Sequence, residues 1–253
     1  TMEINFKATW TSIKTTVKGK VSLKTDWPAE SYEVYQWRLG SATGALIADN
    51  YTFTQDTTVY AVSNYKKFTI TGHKLTGHNL DHFPKGTIYI PEHITEIGND
   101  AFEQCGVIEK VIIPETVTTI GERAFRGCTK LRSINIPSGI TELKTAVFVD
   151  CEALESLIMP IGLSKIGDYA IGGCRKLTNI TVPNTVKTIG KGAFNGCIKA
   201  EITLPESINE IKTAAFGNHD DNYCKKVKVK DDKVKKLVTN APCSYPAEKV
   251  ETY

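Results

Sequence analysis

The sequence has few of the features that mark membrane, nucleic-acid-binding or disulfide-stabilised proteins. No apolar run approaches the roughly 18 residues that a transmembrane helix needs, so we expect no direct insertion into a membrane. The formal net charge is only +3 over 253 residues, too small a basic excess to indicate a nucleic-acid partner. The seven cysteines are sparse and odd in number, unlike those of a disulfide scaffold.

Motifs that carry catalysis are also missing. No GxSxG or HExxH segment occurs, and the five histidines have no serine or carboxylate partner at a catalytic spacing. The segment GKGAFNG, at residues 190–196, only superficially resembles a phosphate loop, because it lacks the strand–loop–helix context. We therefore expect no enzymatic activity, no catalytic residues and no cofactor.

What the sequence does contain is a period of 23 residues that two residue types mark together. Prolines lie at Pro91, Pro114, Pro137, Pro160 and Pro183, with Pro205 one residue early, and cysteines lie at Cys105, Cys128, Cys151, Cys174 and Cys197. Two sparse residue types do not stay in step over five units by chance. A fixed period of roughly 20–29 residues predicts a leucine-rich repeat solenoid, which offers an extended surface for binding.

The repeat also places apolar residues in columns. The clearest are Ile94, Val117, Ile140, Leu163, Val186 and Ile208; Ile97, Ile120, Leu143, Ile166, Ile189 and Ile211; and Phe102, Phe125, Phe148, Ile171, Phe194 and Phe216. Pairing through parallel strands would bring equivalent positions about 4.7–4.9 Å apart. One coil cannot bury enough apolar surface alone, so stability must come from contacts between neighbours. The predicted fold is a β-rich leucine-rich repeat solenoid with a face of parallel strands.

Glycine follows the second apolar column in four of the six repeats. These glycines are Gly98, Gly121, Gly167 and Gly190, whereas Lys144 and Lys212 occupy the same position in the other two repeats. Lysine tolerates a positive φ poorly, so a strict left-handed backbone is not required here. The column therefore indicates that neighbouring coils approach each other closely.

The full repeat pattern is IPxxVxxIGxxAFxxCxxLxxI, which occurs most completely from Ile113 to Ile134. It resembles the BspA-like leucine-rich repeats of bacterial surface proteins over roughly residues 88–229. The last repeat departs from the pattern through the insertion GNHDDNY between Phe216 and Cys224. The resemblance implies an extracellular or cell-surface protein that binds a partner.

The regions outside the repeat divide the chain further. Residues 1–66 alternate polar and apolar side chains and are predicted to form a small all-β domain. We expect residues 67–87 to be an irregular coil that covers the first of the repeats at 88–229. In residues 230–253, the segment DDKVKKLVTNAP predicts a short helix with an aspartate N-cap, which covers the other end.

Two folds remain possible for the N-terminal domain. The segment from Tyr35 to Val62, YQWRLGSATGALIADNYTFTQDTTVYAV, resembles the β-grasp-like Listeria–Bacteroides repeat, which ends in a strand of the DTTVYA type. An immunoglobulin-like sandwich is the alternative. The opening TMEINFKATW has no secretory signal, and we expect any such signal to precede this sequence.

The cysteine column lies along a line and does not converge on one point, as the ligands of a zinc ion must. We expect Cys105 to Cys197 to be buried, reduced thiols that turn inward toward backbone groups. Cys224 and Cys243 lie outside the 23-residue period. They either pair with each other in the C-terminal cap or stay free.

Two polar segments have the residue types of metal sites without their spacing. His73, His78 and His82 lie in HKLTGHNLDH, where the glycines and Pro84 oppose a helix that would align His78 with His82. The insertion offers side-chain oxygens at residues 218–222 but lacks the alternate spacing and terminal glutamate of a calcium loop. We predict no metal site and expect solvated loops in both places.

The segment before each proline, as in VIIP, INIP and ITVP, is the predicted strand of each coil. Alternation turns every second residue outward, onto a concave side that we call the strand face. The predicted ligand-binding residues of the strand face are Tyr89, Lys110, Ile112, Asn135, Ile158, Asn179, Thr181, Thr203, Lys226 and Lys228. Tyr89, Ile112 and Ile158 are apolar residues in wet positions, which indicates either a protein-binding patch or simple β propensity.

A lysine-rich segment offers an alternative site. Seven lysines lie between Lys225 and Lys236, interrupted by Asp231 and Asp232. They suit either an anionic ligand, such as a sulfated glycan, an anionic lipid surface or a nucleic acid, or a solvated end that prevents stacking of solenoids. The solvated end is the interpretation that we prefer.

The sequence leaves three functional hypotheses. We prefer a non-enzymatic binding protein, at the cell surface or secreted, that engages an extracellular protein or glycan through the strand face in adhesion or host interaction. The second hypothesis is a structural spacer or scaffold with no ligand of its own. The third is an enzyme with a site near the histidines at the domain junction. We expect a monomer.

Overall fold

The computed structural model describes residues 2–6, 12–25, 32–39, 52–65, 68–78, 86–219, 222–240 and 242–253. The chain divides into two units, Thr1–Phe68 and Thr69–Tyr253. The finer boundaries between capping segments and repeats stay predictions. In the described ranges, no helix is both long and apolar enough to cross a membrane.

The N-terminal unit contains a four-stranded mixed sheet. Its strands are Met2–Phe6 (β1), Ser12–Thr25 (β2), Tyr32–Leu39 (β3) and Thr52–Tyr65 (β4), in the order β1-β2-β4-β3. β1 and β2 are parallel, whereas β4 pairs antiparallel with both β2 and β3. Residues 40–51, in the middle of the segment that resembles the Listeria–Bacteroides repeat, lie outside the described residues, and that resemblance stays a prediction.

The C-terminal unit is a solenoid of short strands. In chain order they are Phe68–Thr71 (β5), Lys74–His78 (β6), Gly86–Tyr89 (β7), Glu96–Ile97 (β8), Ile108–Ile112 (β9), Thr119–Ile120 (β10), Ser133–Ile134 (β11), Glu142–Leu143 (β12), Lys165–Ile166 (β13), Asn179–Thr181 (β14), Thr188–Ile189 (β15), Glu201–Thr203 (β16), Glu210–Ile211 (β17), Lys226–Val229 (β18) and Val250–Thr252 (β19). One α-helix, Asp232–Thr239 (α1), and a 3₁₀ helix, Ala247–Lys249, lie between β18 and β19. We number the coils 1 to 6, beginning at residues 90, 113, 136, 159, 182 and 204.

The solenoid strands form two ladders. The ladder before the prolines joins β7, β9 and β11, and further along the axis β14, β16, β18 and β19. The second ladder joins β5, β6, β8 and β10, and then β12, β13, β15 and β17. Equivalent residues of neighbouring coils are partners in parallel pairs, as Lys110 is with Ser133. This register confirms the predicted solenoid with its parallel strands.

The predicted apolar columns form the core. The residues of all three columns are buried. Phe125 stacks between Phe102 and Phe148, with ring centroids 5.0 and 5.7 Å away. Ile171 interrupts the aromatic column, which resumes with Phe194 and Phe216, 5.7 Å apart. Each coil therefore completes the core of the coil before it.

The cysteine column connects successive coils through thiol–carbonyl hydrogen bonds. Each Sγ donates to a carbonyl oxygen of the aromatic column in the preceding coil: Cys128 to Phe102, Cys151 to Phe125, Cys174 to Phe148, Cys197 to Ile171 and Cys224 to Phe194, at 3.1–3.3 Å. All seven cysteines are free and buried, which confirms the predicted inward thiols. Cys224 and Cys243 are thus unpaired, and Cys224 belongs to the column despite the insertion before it.

The third side of each coil, which we call the turn side, is also linked by backbone hydrogen bonds. The N–H groups of Phe102, Phe125, Phe148, Ile171 and Phe194 donate to carbonyls of the next coil at 2.7–2.9 Å. Two columns on this side have positive φ. The first is Asp100, Arg123, Ala146, Tyr169, Gly192 and Ala214, and the second is Gln104, Gly127, Asp150, Gly173 and Gly196. In the last coil, Gly217 has a positive φ one position earlier than this second column.

The glycines after the second apolar column confirm the predicted close approach. A Cβ on Gly121 would collide with the backbone of Gly98 and Asn99, and one on Gly167 would lie 2.7 Å from Leu143 O. The two repeats that have lysine at this position differ in their contact with the preceding coil. Lys212 N still donates to Ile189 O at 2.9 Å. In the coil with Lys144, by contrast, β12 does not pair with β10, so the second ladder is interrupted there within residues 86–219.

The segment before the repeats corrects one prediction. Residues 67–87 were expected to form an irregular coil, but their described part contains β5 and β6, and β6 pairs in parallel with β8. Leu75 is fully buried and lies in register with Ile97, so it takes the place of a repeat's apolar residue. The N-terminal cap is therefore built as an additional, imperfect coil.

Aromatic side chains close the core at both ends. His78 stacks on Phe102 at the first coil, with 5.7 Å between ring centroids. At the last coil, Tyr245 packs edge-on against Phe216 and donates its hydroxyl to Cys224 O at 2.8 Å. Helix α1 begins at the predicted aspartate cap, where Asp231 Oδ1 accepts a hydrogen bond from Val234 N at 2.7 Å.

Candidate binding face

The pre-proline ladder aligns most of the predicted site residues on the strand face. At the C-terminal end, Asn179 pairs with Glu201 and then Lys226, while Thr181 pairs with Thr203 and then Lys228. At the other end, Lys110 and Ile112 lie on β9. Lys110, Asn179 and Thr181 are exposed, and Ile112, Thr203, Lys226 and Lys228 are half-buried. The alignment agrees with the predicted columns, whereas ligand binding by these residues stays a prediction.

Tyr89 does not belong to the exposed surface. Its side chain is only 7% exposed, so the predicted wet position is wrong. Ile88, Tyr89 and Ile90 are buried in succession, which means that β7 is covered on both sides. Alternation along a strand predicts opposite directions for neighbouring side chains, but it predicts exposure only where one side of the sheet is open.

Asn135 has a structural role at the end of β11. Its side-chain Oδ1 accepts a hydrogen bond from Ile113 N at 2.7 Å, and its Nδ2 donates to Ile113 O at 2.6 Å. The amide side chain thus satisfies backbone groups that a neighbouring strand would otherwise pair. The pre-proline ladder stops at this point.

The ladder is open at the end of coil 3. No strand is formed by residues 155–159, and within residues 86–219 the N–H groups of Ser156, Leu157, Ile158 and Met159 make no backbone hydrogen bond. Leu157 and Met159 remain buried, so the segment keeps its inward side chains without pairing its backbone. The break divides the strand face into two parts.

An apolar patch lies at this break. Ile158 is 84% exposed, which confirms its predicted outward position, and Ile161 is 80% exposed. Sequence analysis missed Ile161, although a signal existed. The residue after the proline is polar in every other coil, as in Glu92, Glu115 and Ser138, and isoleucine only in coil 4.

A groove lies on the C-terminal part of the strand face. Its volume is about 420 Å³, and its lining includes Thr181, Thr203, Pro183, Lys230 and Tyr253. Lys230 Nζ lies 6.0 Å from the centroid of the Tyr253 ring. Two of the predicted site residues therefore border a concave feature.

The lysines of the last coil are largely compensated by carboxylates. Glu201 accepts from Lys225 Nζ at 2.6 Å and from Lys228 Nζ at 3.0 Å, and these bonds lower its pKa to about 2. Lys226 Nζ lies 2.9 Å from Glu251, whose carboxylate raises the pKa of Lys226. Such internal pairing weakens the case for an anionic ligand at Lys226 and Lys228.

The polar segments considered for metal binding have other partners. His73 Nδ1 lies 2.7 Å from His93 O, and His78 Nδ1 lies 2.7 Å from Ala101 O. Asn222 Oδ1 accepts from the backbone of Asn218 and His219. His82 and residues 220–221 lie outside the described residues. Across the ranges that the structure covers, no three His, Cys, Asp or Glu residues could hold a metal ion.

The coils, ladders and inward cysteines define a β-rich leucine-rich repeat solenoid. The family described as the BspA type leucine-rich repeat region matches residues 95–223 in six copies, which is about half of the chain. The chain belongs to this family. No curated protein matches it.

The solved structures to which this chain is similar include three bacterial proteins. The pneumococcal vaccine antigen PcpA is 17% identical with a TM-score of 0.57, and the match covers 93% of this chain and 50% of PcpA. The Treponema pallidum leucine-rich repeat protein TpLRR is 27% identical, with a TM-score of 0.49 and coverage of 62% and 77%. A leucine-rich cell surface protein from Faecalibacterium prausnitzii is 34% identical, with a TM-score of 0.44 and coverage of 51% and 32%. The chain spans half or less of the first and last of these proteins.

Proposed function

We propose that this chain is a non-enzymatic binding module at a bacterial cell surface, and that a protein partner docks on the strand face around Ile158 and Ile161. Family membership supports the surface location, because the BspA-like repeats that the sequence resembles occur in bacterial surface proteins. The solenoid fold supports binding, since stacked coils present an extended surface. Adhesion or host interaction is the role that fits both.

The exposure of Ile158 and Ile161 is the observation on which the proposal depends. Burying an isoleucine side chain contributes roughly 1.5–3 kcal/mol, so two neighbouring isoleucines in water are suited to anchor an interface. An isoleucine side chain has no hydrogen-bonding group for the hydroxyls of a glycan. A protein is therefore the partner that the patch favours.

The unpaired backbone beside the patch adds polar contacts to this surface. The N–H groups of Ser156 to Met159 have no backbone acceptor within residues 86–219. A partner segment can accept hydrogen bonds from the accessible ones, as an added strand does at an open sheet edge. Apolar anchors and main-chain donors then lie within a few residues of each other.

Binding to purified extracellular-matrix proteins and to a glycan panel tests the proposal. We expect at least one protein to bind, and the double substitution Ile158→Ser and Ile161→Ser to weaken that binding about tenfold or more, as the loss of interface anchors does. Ile198→Ser is the matched control, because Ile198 is an exposed isoleucine elsewhere on the solenoid. Thermal unfolding of each variant checks that the fold is retained.

Two results would contradict the proposal. Binding that survives the double substitution but is lost in a Lys226→Ala and Lys228→Ala variant, with steep salt dependence, would identify an anionic ligand at the last coil. Binding to no member of either panel would favour the structural spacer, which needs no ligand of its own.

A further inference from the structure

We propose that the turn side carries a second binding site, distinct from the strand face, that takes a neutral saccharide. A groove of about 530 Å³ lies on this side, within the roughly 300–1,000 Å³ typical of small-molecule sites. Its lining includes Arg123, Ala146, Asp150, Tyr169, Arg175 and Asn195. These residues come from coils 2 to 5, so the groove runs along the solenoid axis.

The shape of the groove comes from the first column of left-handed residues. Arg123, Ala146 and Tyr169 occupy the same position in three successive coils. Coils that pair as parallel strands do are about 4.8 Å apart, so the backbones of Arg123 and Tyr169 are about 9–10 Å apart with Ala146 between them. A small residue flanked by two large ones leaves a slot with a guanidinium on one wall and a phenol ring on the other.

Glycines of the following coil hold the polar and aromatic side chains in place. A Cβ on Gly192 would collide with the Tyr169 ring, and one on Gly173 would collide with Asp150 Oδ1. The Tyr169 ring therefore lies across Gly192, and it is 39% exposed. Lys191 Nζ lies 5.9 Å from the ring centroid. Tyrosine at a φ of 54° is also uncommon, because this region disfavours bulky side chains.

The charges around the groove are mostly compensated. Asp100 accepts two hydrogen bonds from Arg123, at 2.6 and 3.0 Å, and Glu103 accepts one from Arg126 at 3.1 Å. Arg175 and Asp150 form no ion pair in the part of the chain that the structure describes, and they balance each other. The groove thus offers many hydrogen-bond donors and a carboxylate acceptor with little net charge.

This combination fits a neutral sugar ring better than a folded protein. A sugar presents C–H groups on its faces, which can pack on the Tyr169 ring, and hydroxyls at its edges. The hydroxyls can donate to Asp150 and accept from Arg175 or from the free N–H groups of Arg123. A folded protein needs roughly 800 Å² of surface on each partner, far more than one such slot provides.

Titration calorimetry with a panel of neutral mono- and disaccharides tests the site. We expect Tyr169→Ala to weaken binding about tenfold or more, and Asp150→Asn to weaken it less. The Tyr169→Ala protein should fold, because Ala146 and Ala214 occupy the same position with φ of 55°. We also expect little change in affinity from low to high salt, since the ligand is uncharged.

Three variants separate the site from other surfaces. Gly192→Ala keeps the tyrosine but displaces its ring, so it should weaken binding as Tyr169→Ala does. Tyr253→Ala removes an exposed aromatic residue of the other groove and should have no effect. Ile158→Ser should also leave saccharide binding unchanged, which keeps this test independent of the protein partner.

The proposal would be overturned by any of three results. The first is that no neutral saccharide binds. The second is that binding is the same in the wild type and in the Tyr169→Ala and Gly192→Ala variants. The third is that only acidic saccharides bind and that their affinity falls steeply with salt.

Discussion

Neighbouring coils are held together differently on the side of the two strand ladders, which we call the strand side, and on the turn side. On the strand side, both ladders are interrupted, one between β10 and β12 and the other at residues 155–159. On the turn side, hydrogen bonds from the aromatic column join each coil to the next from Phe102 to Ala215 without a gap. The thiol–carbonyl bonds lie beside them. Continuity of the solenoid thus depends on the turn side, which leaves the strand side free to vary for binding.

Alkaline pH should cause the largest loss of unfolding free energy, because it acts on the buried thiols. Burial raises the pKa of Cys105 to about 11 from 9.0, and it raises the pKa of Cys128, Cys174 and Cys224 well above 9.0. The folded protein keeps these protons while the unfolded chain loses them, so stability is full below pH 9 and falls as pH rises above it. The slope is about 1.4 kcal/mol per pH unit for each thiol.

Denaturant unfolding at several pH values measures this slope. A Cys151→Ala variant should show a shallower fall between pH 9 and 11, because one titrating thiol is gone. At neutral pH, the native thiols should react slowly with a thiol reagent and rapidly after unfolding. Fast native labelling of the column would contradict buried thiols.

Truncating the aromatic column should have the next largest effect. Phe125→Ala should cost about 3–5 kcal/mol of unfolding free energy, because Phe125 is fully buried between two other rings. Ile158→Ala is the control from the strand side and should cost almost nothing, since Ile158 is exposed. If chemical denaturation showed equal losses of unfolding free energy for the two variants, the two sides would not differ in their contribution to stability.

Positions at which neighbouring coils lie close together should tolerate an added Cβ poorly. Gly121→Ala should cost about 1–3 kcal/mol, because its Cβ would collide with the backbone of the preceding coil. Gly139→Ala is the matched control. Its Cβ would meet Thr118 Cγ2 at 3.4 Å and no backbone atom closer than 3.9 Å. Similar unfolding free energies for the two variants would mean that the coils are not held closely at Gly121.

The exposed ion pairs of the strand side should have the smallest effect. Hydrogen bonds from Lys225 and Lys228 lower the pKa of Glu201 to about 2 from 4.5. A depressed carboxylate pKa stabilises the fold above pH 4.5, and this contribution disappears as pH falls toward 2. Carboxylate titration by NMR should give Glu201 a pKa well below the usual 4.5. High salt should move it back toward the usual value.

Sequence reasoning succeeded where a feature depends on residues one period away. The apolar columns, the inward cysteines and the close glycines all follow from stacking identical positions, and all were predicted. The burial of Tyr89 depends on what covers the end of the stack of coils, and the 23-residue period carries no information about that cover. The left-handed columns were missed for another reason. They hold aspartate, arginine, alanine and tyrosine as well as glycine, so no single residue type marks them.

The two proposed binding surfaces also differ in whether the sequence alone could reveal them. Ile112 and Ile158 were found by alternation along the strand, and Ile161 could have been found as the apolar exception in a polar column. The groove beside Tyr169 could not have been found in this way. It requires knowledge that Tyr169 lies across Gly192 and that Ala146 separates it from Arg123.

Amide hydrogen exchange tests the difference between the two sides most directly. The N–H groups of Phe125, Phe148 and Ile171 are bonded across coils, so their exchange should require global unfolding. The N–H groups of Ser156 and Ile158 have no backbone acceptor among the residues that the structure describes, and they should exchange orders of magnitude faster. Strong, equal protection of Ser156, Ile158 and the turn-side amides would contradict an open strand side.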